Sequence, residues 1–307
     1  MPLLIDEKPM GSAPKTVEEF VKKYSNFRES SLVLCSQESR LVGPDGLLYI
    51  GQREMAATSP SDDKVKILGT DDATTCHMVI LRHTGSCVTA MAHFDGCGTE
   101  KAVARMIDMV RDLTGGKQWG RLELHLVGGF KDERGLSEDL SIKILGAFNS
   151  ASEEIHLITA CITDLNNTTR KNIHWPMIYG IAINVKTGEI FRASFTDRGP
   201  DMSLRSARHF TGEEEVLNIY DYKKQRMTIG PFTYSTMDEI DLLCRLPDQF
   251  IRQHLSTSPE QEPPHFEAGV RAALVQIRDH PDPMKSIFTD GKPRMYAKQP
   301  DGSWARV

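Results

Sequence analysis

The spacing of hydrophobic positions changes along the chain and assigns most of its elements. Apolar residues recur at helical intervals from Val17 to Tyr24, and Thr16 followed by Glu19 fits a capping box at its start. The same spacing returns from Thr99 to Leu113, with Val103, Met106, Ile107 and Val110 on one face and Gly115-Gly116 as the stop. Helices are also predicted over Ser137 to Phe148 and Ser203 to His209. A final one, Phe266 to Ile277, follows the Pro-rich loop Ser256 to His265.

Elsewhere the pattern is that of strands. Leu47 to Gly51, Val65 to Leu68, Arg121 to Val127, Ile155 to Thr163, Ile178 to Asn184, Ile190 to Ser194, Val216 to Tyr220 and Arg226 to Gly230 are short apolar or alternating runs bounded by turn residues. Cys76 to Arg82 and Cys87 to His93 flank Gly85-Ser86 and read as a hairpin, while Asn166 to His174 reads as a polar loop. Interleaved helices and strands with mostly antiparallel turns predict an α+β class, and no linker or repeat divides residues 1–307 into more than one domain.

Composition narrows the classes. With 39% hydrophobic and 26% charged residues the chain has the balance of a soluble globular protein. A net charge of -5 with no dense Lys/Arg run leaves no electrostatic footprint for nucleic acid. The longest apolar runs are strand-sized, so no membrane association is expected. The start MPLLIDEK lacks the basic and long apolar regions of a secretory signal, and a reducing compartment is expected. The six cysteines are therefore read as thiols, with Cys35, Cys161 and Cys244 as core residues.

Candidate chemistry concentrates between Thr70 and Cys97. A cysteine nucleophile needs a base to take its proton and an orienter to hold that base. Cys76 follows the polar loop Thr70 to Thr75 and opens an apolar strand, while His93 ends the next strand in a Met-Ala-His-Phe setting. A hairpin brings the two ends together, and the Thr70 hydroxyl suits the far nitrogen of the imidazole. On spacing alone a packing role for Cys76 and a structural role for His93 stay open. So does zinc, given the crowd of Cys76, His77, His83, Cys87, His93 and Cys97. Against zinc, the window has no CxxC pair, and Cys76 and His77 point to opposite faces of a strand.

Longer stretches carry a resemblance. VGPDGLLYIGQRE (Val42 to Glu54), LGTDDATTCH (Leu68 to His77), LRHTG (Leu81 to Gly85), LHLVGGF (Leu124 to Phe130), YGIAINVKTGEIFRASFTDRGP (Tyr179 to Pro200) and LSTSPEQEPPHF (Leu255 to Phe266), with the MPLL start, resemble the protein N-terminal asparagine amidohydrolase family. More distantly, Thr70, Cys76 and His93 are spaced as in bacterial chemoreceptor glutamine deamidases. The resemblance implies a Cys–His–Thr triad on an α-β-β sandwich of the cysteine-hydrolase type. It also implies deamidation of N-terminal Asn to Asp without a cofactor, a product that enters N-degron degradation, and a monomer in the cytoplasm, with the nucleus as a second compartment. Deamidation of glutamine, a zinc-stabilised binding module and a silent reader of N-terminal Asn are the competing readings.

Selectivity for a chain terminus requires acceptors for a desolvated ammonium. Asp71 and Asp72 are the first candidates, Glu123 a weaker one, and N–H groups near Thr75 and Cys76 suit an oxyanion. Capping or solvating the loop is the competing role for the two aspartates. Pro2, exposed as a secondary amine once Met1 is excised, is expected either to line the site or to be an ordinary terminus. Gly128-Gly129 suits close backbone approach to substrate or a simple turn. Asp197 and Arg198 are read as an ion pair within a turn.

Overall fold

A computed structural model of the chain describes residues 3–116, 119–211 and 213–307. The fold is a mixed α/β arrangement of several sheets. The largest has eight strands in the order Leu217–Asn218, Glu54–Thr58, Thr89–Phe94, His77–His83, Leu122–Gly128, Ile155–Ile162, Leu3–Ile5 and Lys8–Pro9. His77–His83 runs antiparallel to both of its neighbours, and all seven of its residues are buried.

Alternation along that central strand sends its side chains into two cores. Val79 and Leu81 join Ala90, Ala92, Phe94, Leu124 and Leu126 beneath the helices Val17–Lys23, Thr99–Thr114 and Leu136–Asn149. Met78 and Ile80 face the other way. They meet Met91, Val127 and Cys161, and beyond them Leu48, Leu68, Ile181 and Ile183 from a five-stranded sheet. In that second sheet Ile67–Thr70 lies between Leu47–Tyr49, to which it is parallel, and Ile181–Asn184, to which it is antiparallel. Burying each such Ile, Leu, Met or Val side chain stabilises the fold by about 1.5–3 kcal/mol. The second core therefore fixes where Thr70 stands relative to the hairpin.

Most predicted elements form, with boundaries displaced by a few residues. Thr16 Oγ1 accepts from Glu19 N–H at 3.1 Å, but the Glu19 carboxylate reaches Lys15 N–H rather than Thr16, so the box is half closed. Asn166 to His174 is not a plain loop. Asn167–Arg170 pairs with Ile173–Pro176 as a hairpin, with Lys171 and Asn172 at φ 49 and 65 at its tip. Phe266–Asp279 is not the last element either: a helical turn, Pro283–Ser286, and two strands, Arg294–Lys298 and Trp304–Arg306, follow it. Helices Asn26–Ser36 and Asp248–Leu255 and the strand Glu54–Thr58 have no counterpart in the predicted set. Cys35, Cys161 and Cys244 are buried, as expected.

Candidate active site

Cys76 stands one residue before the His77–His83 strand, where the polar loop from Thr70 ends. Met78 is directly opposite His93 in the antiparallel register. Cys76, two residues earlier, shares the face of Met78, and this makes it the diagonal neighbour of His93. Cys76 is packed against the core that holds Met78, Ile80 and Met91 and is only partly exposed. His77 points to the other side, where its Nε2 meets Ser141 Oγ at 2.7 Å beneath the Leu136–Asn149 helix.

Thr70 reaches His93 from the second sheet: its Oγ1 is 2.7 Å from His93 Nδ1. The other ring nitrogen, Nε2, is buried and has no hydrogen-bond partner among the described residues. Burial lowers the imidazole pKa to about 4, against partial support from Asp95, Asp72 and Glu54. Burial also pushes the Cys76 thiol well up, and the negative charges of Asp95 and Glu262 add to the effect. At neutral pH the resting pair is thus a neutral thiol beside a neutral imidazole.

Gly128 and Gly129 serve the backbone of Cys76. Gly129 N–H donates to Cys76 O at 2.9 Å, and a Cβ at Gly128 would lie 2.4 Å from that same oxygen. Their φ values, 136 and 66, suit glycine, so the close approach predicted for this pair is to the Cys76 backbone.

The loop carboxylates are engaged. Asp71 accepts from Tyr49 Oη at 2.8 Å and pairs with Arg198 at 3.0 Å; Asp72, at φ 60, pairs with Arg198 at 2.6 Å and with His265 at 2.7 Å. Arg198 therefore clamps the Thr70–Thr75 loop rather than pairing with Asp197, whose carboxylate caps Gly199 N–H at 2.7 Å. Burial raises the Asp71 pKa, and the adjacent Asp72 charge raises it further. Thr75 Oγ1 meets Thr257 Oγ1 at 3.0 Å. Together with the His265–Asp72 contact, this closes the Pro-rich loop over the site.

One sequence candidate is not brought in: Glu123 sits opposite Arg82, toward the far end of the sheet from Cys76, and its carboxylate meets Arg121. Pro2 lies outside the described residues. Among the described residues no three His, Cys, Asp or Glu side chains are arranged to hold a metal ion. Conversely, residue spacing offers no reason to single out Glu262. Its only advance signal was its place in the LSTSPEQEPPHF stretch.

Comparison with known proteins assigns the family. A family model described as protein N-terminal asparagine amidohydrolase matches residues 37–306. Proteins of that name from Homo sapiens and Sus scrofa are 42% and 43% identical to this chain over 307 residues, covering 100% of it and 98% of their own lengths. One from Arabidopsis thaliana is 28% identical over 311 residues, covering 92% of this chain and 87% of its own. The chain that carries this buried Thr70–His93 pair beside Cys76 belongs to the protein N-terminal asparagine amidohydrolase family.

Proposed function

We propose that the chain hydrolyses the side-chain amide of an N-terminal asparagine, giving N-terminal aspartate and ammonia through a Cys76 thioester. The observation that carries this reading is the His93 ring: Nδ1 is tied to Thr70 at 2.7 Å, while Nε2 is left without a partner on the face it shares with Cys76. With the proton on Nδ1 donated to Thr70 Oγ1, Nε2 carries the lone pair that a general base needs.

As the sulfur attacks the amide carbon, His93 Nε2 takes the thiol proton, and the carbonyl oxygen becomes an oxyanion received by N–H groups of Thr75 and Cys76. The imidazolium then protonates the departing nitrogen, ammonia leaves and a thioester remains. Water delivers a proton to His93 as it attacks the thioester. Collapse expels the Cys76 thiolate, which recovers that proton, and leaves a carboxylic acid. Every proton in this balance moves between Cys76, His93, the substrate and water, so no cofactor enters it.

Helices on one face of the eight-stranded sheet and a five-stranded sheet on the other support the α-β-β scaffold of cysteine hydrolases. The sequence resemblance supports proteins and peptides with N-terminal asparagine as substrates and entry of the product into N-degron degradation; a monomer in the cytoplasm is the accompanying assignment, with the nucleus as the open alternative. The test is ammonia release from peptides beginning with Asn, Gln or acetyl-Asn. Release from the first alone is expected; equal release from the Gln peptide would replace this reading with that of a glutamine deamidase.

A further inference from the structure

The charges around the Cys76–His93 pair are unevenly compensated. Four carboxylates act on it: Asp95 and Glu262 on the thiol, and Asp95, Asp72 and Glu54 on the imidazole. Three are held by guanidinium groups. Asp95 pairs with Arg53 at 2.6 Å, Asp72 with Arg198 at 2.6 Å and Glu54 with Arg205 at 2.5 Å. Glu262 has Ser256 Oγ as its hydrogen-bond donor, at 2.5 Å, and among the described residues no cation pairs with it.

The neighbouring cation is committed elsewhere. Arg252 pairs through Nε with Glu267 and spends its other nitrogens on the carbonyl oxygens of Pro259, Glu262 and Pro263. It thus holds the backbone of the Glu262 loop, and its charge acts on the Glu262 carboxylate without an ion pair between the two. The same loop is moored on the nucleophile side by Thr257 to Thr75 and by His265 to Asp72, and Gln261 Nε2 donates to His174 O at 2.7 Å. A carboxylate in so anchored a loop is set in advance to meet a cation from outside the chain.

We propose that the Glu262 carboxylate receives the free α-ammonium of the substrate and so confines the enzyme to asparagine at a chain terminus. This assignment rests on the function proposed above. In asparagine the α-nitrogen is three bonds from the side-chain amide carbon, so its acceptor must lie close to Cys76; the Glu262 loop is tied to Thr75 and Asp72, and the Glu262 charge acts on the Cys76 thiol. Burial, with the Asp72 charge, holds the Glu262 carboxyl up to about 7 without substrate, against the Ser256 hydrogen bond and the Arg252 charge. An arriving ammonium paired directly with it favours the ionised form. An internal asparagine or an acetylated terminus presents an amide here, which leaves a carboxylate facing a neutral group.

The test measures kcat and KM for two peptides, one beginning with Asn and one in which the Asn is replaced by a succinamoyl group, which keeps the side-chain amide and lacks the amine. Glu262→Gln is expected to lower kcat/KM for the Asn peptide by about 10- to 100-fold, mostly through KM, and to leave the succinamoyl peptide within about twofold. Glu262→Asp, which keeps the charge but retracts it by one methylene, is expected to give a ratio between the wild-type and Gln values. A ratio unchanged from wild type in either variant, or an equal loss on both peptides, would overturn the assignment. A wild-type enzyme that releases no ammonia from the Asn peptide would instead overturn the proposed reaction.

Discussion

The two ends of one hairpin carry nearly the same chemical inventory with different results. At the open end stand Cys76, His93 and Thr70; at the turn stand Cys87, His83 and Ser86, with Thr114 behind them. The turn set is joined by contacts within a few residues. His83 Nδ1 meets Ser86 Oγ at 2.9 Å and accepts from Ser86 N–H at 3.1 Å, and Cys87 Sγ donates to Thr84 O at 3.6 Å. Its ring nitrogen and its thiol are spent on closing the turn, with Cys87 at φ 57. The open set is joined across strands and across two sheets, and it leaves a buried ring nitrogen without a partner. Residue types are shared by the two ends. What differs is whether their polar atoms satisfy the local backbone or remain available to a substrate.

Substitutions at equivalent places separate the two ends, and the largest contrast is at the sulfurs. Cys76→Ala is expected to lower ammonia release from an Asn peptide by about 10⁴-fold or more, whereas Cys87→Ala leaves kcat unchanged; full turnover by the Cys76 variant would remove the nucleophile assignment. At the imidazoles, His93→Ala is expected to cost about 10²–10⁴-fold in kcat with the melting temperature little changed. His83→Ala should do the reverse, with kcat retained and stability reduced by about 1 kcal/mol through the lost turn hydrogen bonds, read by thermal melting.

Thr70→Val removes one neutral hydrogen bond to the base and is expected to reduce kcat about tenfold, against no change for Ser86→Ala. An unchanged kcat for Thr70→Val would show that packing alone orients His93. The smallest effect is a pH shift. Because burial lowers the His93 pKa to about 4 in the free enzyme, kcat/KM for the succinamoyl peptide should hold as pH falls through 6.5 and decline only near 4. An acid limb at 6.5 would instead place the base in water.

Acid should also reveal the cost of burying imidazoles. His77, His93, His125 and His209 are lowered to about 3, 4, 4 and 4, in each case chiefly by burial. A depressed histidine contributes stability that is fully present above its unfolded value and is lost as pH falls toward its folded one. Melting temperature is therefore expected to fall by roughly 5–10 °C between pH 6.5 and 4. A flat profile across that window would mean that these rings are solvated.

Local pattern made the hairpin and the Thr99–Thr114 helix legible, since each depends on a short run of alternating or helically spaced residues. It left packing and structural roles open for Cys76 and His93, and the resemblance supplied the grouping with Thr70, which comes from a different sheet. Arg198 was misjudged because its nearest acid in sequence is Asp197, whereas its partners, Asp71 and Asp72, lie on a distant segment. Glu262 escaped notice for a related reason. A carboxylate in a Pro-rich loop looks solvated until the loop is folded over Cys76.

By itself the sequence determined most of the elements, the candidate Cys, His and Thr and the family. All three are encoded in nearby residues or in long matched stretches, and none needs the fold. Only the tertiary structure decided which of two similar Cys, His and hydroxyl sets keeps a ring nitrogen free, and which carboxylates around it already hold a cation. Those outcomes depend on cross-sheet distances and on burial, and no spacing along one chain specifies either.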